Sequence, residues 1–186
     1  MVDGGYPIVS VASREVADAR RLCRGIRGAR ATARPEAAVS EARLVLLAVP
    51  DREIGPLARR LARGADGWRL RTVLHHAGAL GTEPLAPLRR AGAFVGVFHP
   101  LQCLGRPDLA AAVLPGSRAR IEGDRGAIRT ARRLARDLGL VPLSFPKPLT
   151  RSDRSAYHAA ASLVSNDLVA ILSLGTDLLE SAGLDR

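Results

Sequence analysis

Residues 44–50, LVLLAVP, decide the fold. Every position is apolar. A strand with one wet face alternates; an unbroken apolar run calls for cover on both faces. The run is too short for an independent helix, and Val45 and Val49 suit a strand. Pro50 ends it by removing a ladder donor. The segment behind it, IGPLARRLA, carries a helical pattern over residues 54–62. Strand, short turn and helix make half of a βαβ unit, so the run is expected at the centre of a parallel sheet. Ligands of such sheets bind beyond the carboxyl ends of the strands, which makes the tip Pro50-Asp51-Arg52 a candidate site.

Outward from this run the alternation repeats. Residues 7–12 (PIVSVA), 71–75 (RTVLH), 93–98 (AFVGVF) and 118–121 read as strands, with short ones near 29–31 and 140–144. Helices are expected over about 14–24, 83–91, 107–113 and 125–138, with a helical turn at 35–42. Thr82 is placed to cap the second of these. From Arg154 to Ala182 there is no proline and one glycine, Gly175. That stretch predicts one long helix, or two broken at Gly175, capped by Ser152 or Asp153. The expected architecture is an open, mostly parallel α/β sheet over residues 1–146, followed by the start of an all-helical domain over 151–186.

Of 186 residues, 47% are apolar and 25% charged, an ordinary globular balance. The formal charge is +10, carried by one lysine and otherwise by arginines spread along the chain. Aromatics are only 3%, which leaves few stacking platforms for single-stranded nucleic acid. A specific nucleic-acid interface is therefore not expected; a basic surface equally favours an anionic cofactor. Cys23 and Cys103 lie far apart and give neither a disulfide framework nor a zinc spacing. No apolar run is read as reaching membrane-spanning length and no secretory signal opens the chain, so the cytoplasm is the expected compartment.

The four histidines are the candidate chemistry. His75, His76 and His99 fall at strand ends expected on one sheet edge, and His158 lies on the late helix. An imidazole exchanges protons near neutral pH. No metal spacing such as HxxxH is present, and no metal site is expected. His158, Ser162 and Asn166 are four residues apart, so a regular helix puts them on one face. A polar stripe on so apolar a helix faces either a cleft or a partner helix.

LVLLAVPD, RTVLHHAGAL, GVFHPLQ, RIEGD and SAYHAAASLVSNDLVAIL occur in that order. Together they resemble a poorly characterised family of Rossmann-like proteins with a carboxyl-terminal helical domain of unknown function. That family is similar to ketopantoate reductases, prephenate dehydrogenases and coenzyme-F420-dependent NADP reductases. The resemblance implies a hydride-transferring oxidoreductase with NADP, or NAD, as cofactor and a small-molecule substrate. It implies Ser13, Arg14, Val49, Pro50, Asp51 and His76 as cofactor contacts, with Arg14 suited to the extra phosphate of NADP. It implies His158 or His99 as proton donor, Asn166 as an orienting group, and a homodimer through the late helix. The chain departs from the family in having no GxGxxG loop, the segment whose glycines let backbone approach a pyrophosphate. The first strand and that loop are expected to be missing. The competing expectation is a non-catalytic scaffold that associates through its last helix.

Overall fold

The computed structural model describes residues 5–65, 67–102, 110–145 and 147–184. Its strands are β1 (Ser10–Ala12), β2 (Arg30–Thr32), β3 (Leu44–Leu47), β4 (Thr72–His75), β5 (Phe94–Leu101), β6 (Arg118–Gly123) and β7 (Val141–Pro142). Its helices are α1 (Val16–Cys23), α2 (Pro35–Val39), α3 (Asp51–Gly64), α4 (Ala86–Arg90), α5 (Ala110–Val113), α6 (Arg125–Asp137), α7 (Arg151–Ser162) and α8 (Leu168–Ser181). The residues before Ala110 in the helix expected over 107–113 lie outside the described residues, as does Cys103.

The expected α/β class is what forms, with a mostly parallel sheet. β3, β4, β5, β6 and β7 form one sheet in that order, parallel except for the antiparallel pair β5–β6. β1 and β2 pair parallel in a separate two-stranded sheet. Residues 44–47 are therefore at the edge of the large sheet and not at its centre. The physical reason is that an unbroken apolar run reports cover on two faces and says nothing about the number of neighbouring strands. Both faces are covered: Val45 and Leu47 join a core with Ile54, Ala58 and Leu61 of α3 and Leu88 of α4. Leu44 and Leu46 pack against the opposite core, built on Ala127, Ala131 and Leu134 of α6. β4, buried at all four residues, is an inner strand, between β3 and β5.

Three local expectations change. Thr82 does not cap the following helix; its hydroxyl accepts from Arg89 Nη2 at 3.0 Å, and a 3-10 turn over Glu83–Leu85 precedes α4. The late helix starts three residues earlier than expected, with Thr150 as its cap. Thr150 Oγ1 accepts from Asp153 N at 3.1 Å, and Asp153 Oδ2 accepts from Thr150 N at 2.8 Å, a closed capping box. The helix does not break at Gly175, which lies inside α8 with open space around it. The irregularity is a π turn over Leu163–Asp167, joining α7 to α8. Ser165 Oγ donates to Ala161 O at 2.7 Å, a back-bond that competes with the regular ladder there. The stretch Arg151–Ser181 is one helix long and apolar enough, by length and composition, to cross a membrane. Counting uninterrupted runs misses it, because serine, asparagine and aspartate are interspersed.

Candidate functional site

The site is assembled by β4, its following loop, β5, β6 and α7. His75 is fully buried at the end of β4. Its Nδ1 accepts from Ala77 N at 3.1 Å, so its Nε2–H donates to Gly81 O at 2.7 Å. His76 Nδ1–H donates to Phe98 O at 2.6 Å. Burial holds the pKa of each below the ordinary imidazole value. Both rings thus fasten the loop 76–81 to the sheet.

That loop is held from its other side by Arg120, which has no exposed surface. Its Nη2 donates to Ala77 O (3.0 Å), Gly78 O (3.2 Å) and Leu80 O (2.9 Å), and its Nη1 pairs with Glu122. The antiparallel register sets this up: Arg120 lies opposite His99 and Glu122 opposite Val97, on one face two residues apart. Glu122 also receives Arg154 of α7, through Nε at 3.0 Å and Nη2 at 2.9 Å. The side chains of Arg154 and Glu122 are only 13% and 17% exposed, so this is a largely desolvated pair. Glu83 reaches Arg154 Nη1 from the rim at 3.4 Å.

Arg154, Tyr157 and His158 are spaced i, i+3, i+4 and share a face of α7. With Arg154 pinned on Glu122, the other two meet His99. Ring centroids are 5.9 Å apart for His99–Tyr157 and 6.0 Å for His99–His158. Tyr157 Oη lies 3.5 Å from His99 Nδ1, and the Arg120 guanidinium carbon lies 5.8 Å from the Tyr157 ring centre. Gly78 lies between the two imidazoles. A Cβ there would be 2.2 Å from His158 Nδ1 and 2.8 Å from His99 Nε2, so only glycine fits. Burial first, then the Arg120 charge and the other imidazoles, push the His99 pKa down to about 4. Burial raises the Tyr157 pKa, with Arg120 opposing it. At neutral pH the site presents an uncharged imidazole, a protonated phenol and a fixed guanidinium.

His99 and His158 therefore come together as the sequence suggests, although His99 lies within β5 and not past its end. The continuation of β5 is paired by β6, which no local pattern announces. Ser13 and Arg14 follow β1; Arg14 is exposed and makes no ion pair among the described residues, and Ser13 N donates to Thr32 O at 3.2 Å. Neither is bonded to the histidine group. Val49 is partly buried, Pro50 precedes α3, and Asp51 is its exposed first residue. Asn166 lies in the π turn, and its side chain lies outside the described residues. The four-residue spacing used to align it assumes a regular helix, which ends at Ser162. Arg120, Glu122, Arg154, Tyr157 and Gly78 were not singled out by the sequence. The alternation Arg-x-Glu in RIEGD is the one local signal, since two charges on one face of an apolar sheet need partners.

These features define a doubly wound α/β protein whose strand-end loop is roofed by a long carboxyl-terminal helix. The chain belongs to the Rossmann-like family: the Rossmann-like domain matches residues 3–100, and a domain of unknown function (DUF2520) matches residues 117–186. No curated protein matches it. Among solved structures it is similar to a proposed NADP oxidoreductase of Bacteroides fragilis, with 20% identity over 97% of this chain and 66% of that one, TM-score 0.76. It is similar to an imine reductase of Streptomyces aurantiacus (18% identity, 98% and 62% covered, TM-score 0.70). It is also similar to a Thermotoga maritima protein (24% identity, 94% and 62% covered, TM-score 0.62). The chain thus spans less than two thirds of the length of these proteins, and at such identities the likeness establishes the shared fold.

Proposed function

We propose that this protein is an oxidoreductase that moves hydride between NADP, or NAD, and a small organic substrate. The observation that carries the reading is the His99–Tyr157–His158 group closing on Gly78 at the end of β4, beneath α7. Cofactor and substrate of an open α/β sheet meet at such strand ends. The residues present fit two parts of a dinucleotide. The unpaired Arg14 after β1 suits a ribose phosphate, with Ser13 beside it. The loop 76–81 is rich in small residues, and its partly exposed members His76, Ala79 and Leu80 would lie nearest a ring. Val49, Pro50 and Asp51, at the start of α3, would flank the diphosphate. Bound there, the reduced nicotinamide supplies hydride. The chain's own residues hold and orient the substrate, exclude water, and stabilise developing negative charge with fixed donors.

Titration with NADPH, followed by its fluorescence, tests this. Saturable binding, weakened by Arg14→Glu and weaker still for NADH, is expected. An emission unchanged by the protein defeats the reading.

A second reading keeps the scaffold and drops the chemistry: association through the last helix, with a homodimer as product. The exposure of Leu168, Val169, Ile171, Leu172 and Leu178, each about half exposed or more, favours the association itself. A dimer and a hydride-transfer site are compatible, and we propose both.

A further inference from the structure

His158 has two ring nitrogens in unlike surroundings. Nδ1 is buried and has no hydrogen-bond partner. It faces Gly78 so closely that a Cβ would lie 2.2 Å from it and 2.8 Å from Cε1. What faces Nδ1 is therefore aliphatic hydrogen. A C–H can lean on a lone pair but cannot accept from an N–H. A proton on Nδ1 would be a buried donor with no acceptor, the worse of the two ways to leave that atom. Nε2 makes no hydrogen bond among the described residues, and the side chain as a whole is only partly buried.

We propose that His158 is a fixed hydrogen-bond donor that carries its proton on Nε2 and leaves Nδ1 bare against Gly78, and that the substrate atom it takes is an acceptor, a carbonyl oxygen or imine nitrogen. This rests on the hydride-transfer reading and deepens it. It also replaces the expectation that His158 gives up a proton. With Nδ1 bare and shut against Gly78, losing the Nε2 proton would leave an imidazolate. His158 instead holds the acceptor and stabilises charge as it grows there, while Gly78 fixes the tautomer from behind. Gly78 is accordingly a positioning residue.

The tautomer can be read on the chain alone, without cofactor or substrate. Protein labelled with nitrogen-15 histidine is examined by long-range proton–nitrogen correlation at neutral pH. The His158 ring is assigned through its nuclear Overhauser contacts to the α7 residue Arg154 together with the Gly78 α-hydrogens, which it shares with His99, so no variant need fold. The expected pattern is a pyrrole-type Nε2 and a pyridine-type Nδ1. Acetate, an acceptor-only probe, should move the Nε2 signal, and methylammonium, a donor-only probe, should not. A proton found on Nδ1, a signal unmoved by high acetate, or a response to methylammonium alone overturns the inference. Failure of NADPH to bind while the Nε2–H pattern holds would sink the oxidoreductase reading and leave this assignment standing.

Discussion

Two glycines show how differently one residue type can be used. At Gly78 an added methyl collides with His158 and His99. Both rings are held by packing, so the neighbours cannot give way cheaply. Gly78→Ala should cost about 1–3 kcal/mol, as overpacking does, and separate the two imidazoles. At Gly175 an added methyl meets nothing within 4 Å, and the residue is inside α8. Gly175→Ala should stabilise by about 1 kcal/mol. Trp68 is the single tryptophan and is 2% exposed, so its emission follows unfolding in urea for Gly78→Ala, and far-ultraviolet circular dichroism follows α8 in Gly175→Ala. Equal midpoints for the two would contradict this account. Sequence alone treats both as helix or loop punctuation; the difference depends on what three-dimensional neighbours stand opposite.

At the scale of elements, α7 is started by its own capping box and held to the sheet through Arg154, whose partner on β6 is Glu122. Arg154→Ala leaves Glu122, largely buried, with Arg120 as its remaining charge partner among the described residues. Charged hydrogen bonds of this kind are worth about 1.5–3 kcal/mol. The loss should be local: amides of α7 exchange faster while those of β4 do not, and His158 moves off His99. Arg154→Lys should restore only part, since an ammonium cannot make the same two bonds from Nε and Nη2. Uniform loss of protection over the whole sheet would show that the pair is a global strut and not a pin for α7. The elements themselves were readable because strands and helices here announce themselves by apolar period and by proline and glycine at their ends. Residues 44–50, 71–75 and 125–138 are cases. Sheet position was not readable, since the edge place of β3 depends on which strands do not pair with it. The pairing of His99 with Arg120 is also a long-range register, so Arg120 looked like one arginine among many. The π turn escaped because Ser165 back-bonding to Ala161 is a choice of rotamer, which sequence does not display.

For the molecule as a whole, the histidines tie stability to pH and the last helix ties it to concentration. His99 titrates near 4 when folded and near 6.5 when unfolded, so the unfolded chain binds the proton first on acidification. Stability from this group is complete above about pH 6.5 and is lost as pH falls towards 4; at pH 5 the loss is about 2 kcal/mol. His75 and His76 shift in the same direction and add to the slope. Urea midpoints should therefore fall between pH 7 and pH 5, and His99→Gln should flatten that fall; a midpoint independent of pH would refute it. The helix argument runs on area. Leu168, Val169, Ile171, Leu172, Leu174, Leu178 and Leu179 spread over most of the circumference of α8, and each is 49–67% exposed. A helix apolar on most sides is stable in water only when covered. A second copy offers the matching apolar surface, and pairing two such helices removes both from water at once. Ile171→Asp with Leu172→Asp puts four like charges into that contact, two from each chain. Sedimentation should then show a dimer for the parent chain and a monomer for the variant, with the Trp68 emission of the folded sheet unchanged. A parent chain that sediments as a clean monomer overturns the pairing. One that is a monomer in buffer but floats with lipid vesicles assigns the same apolar helix to a bilayer.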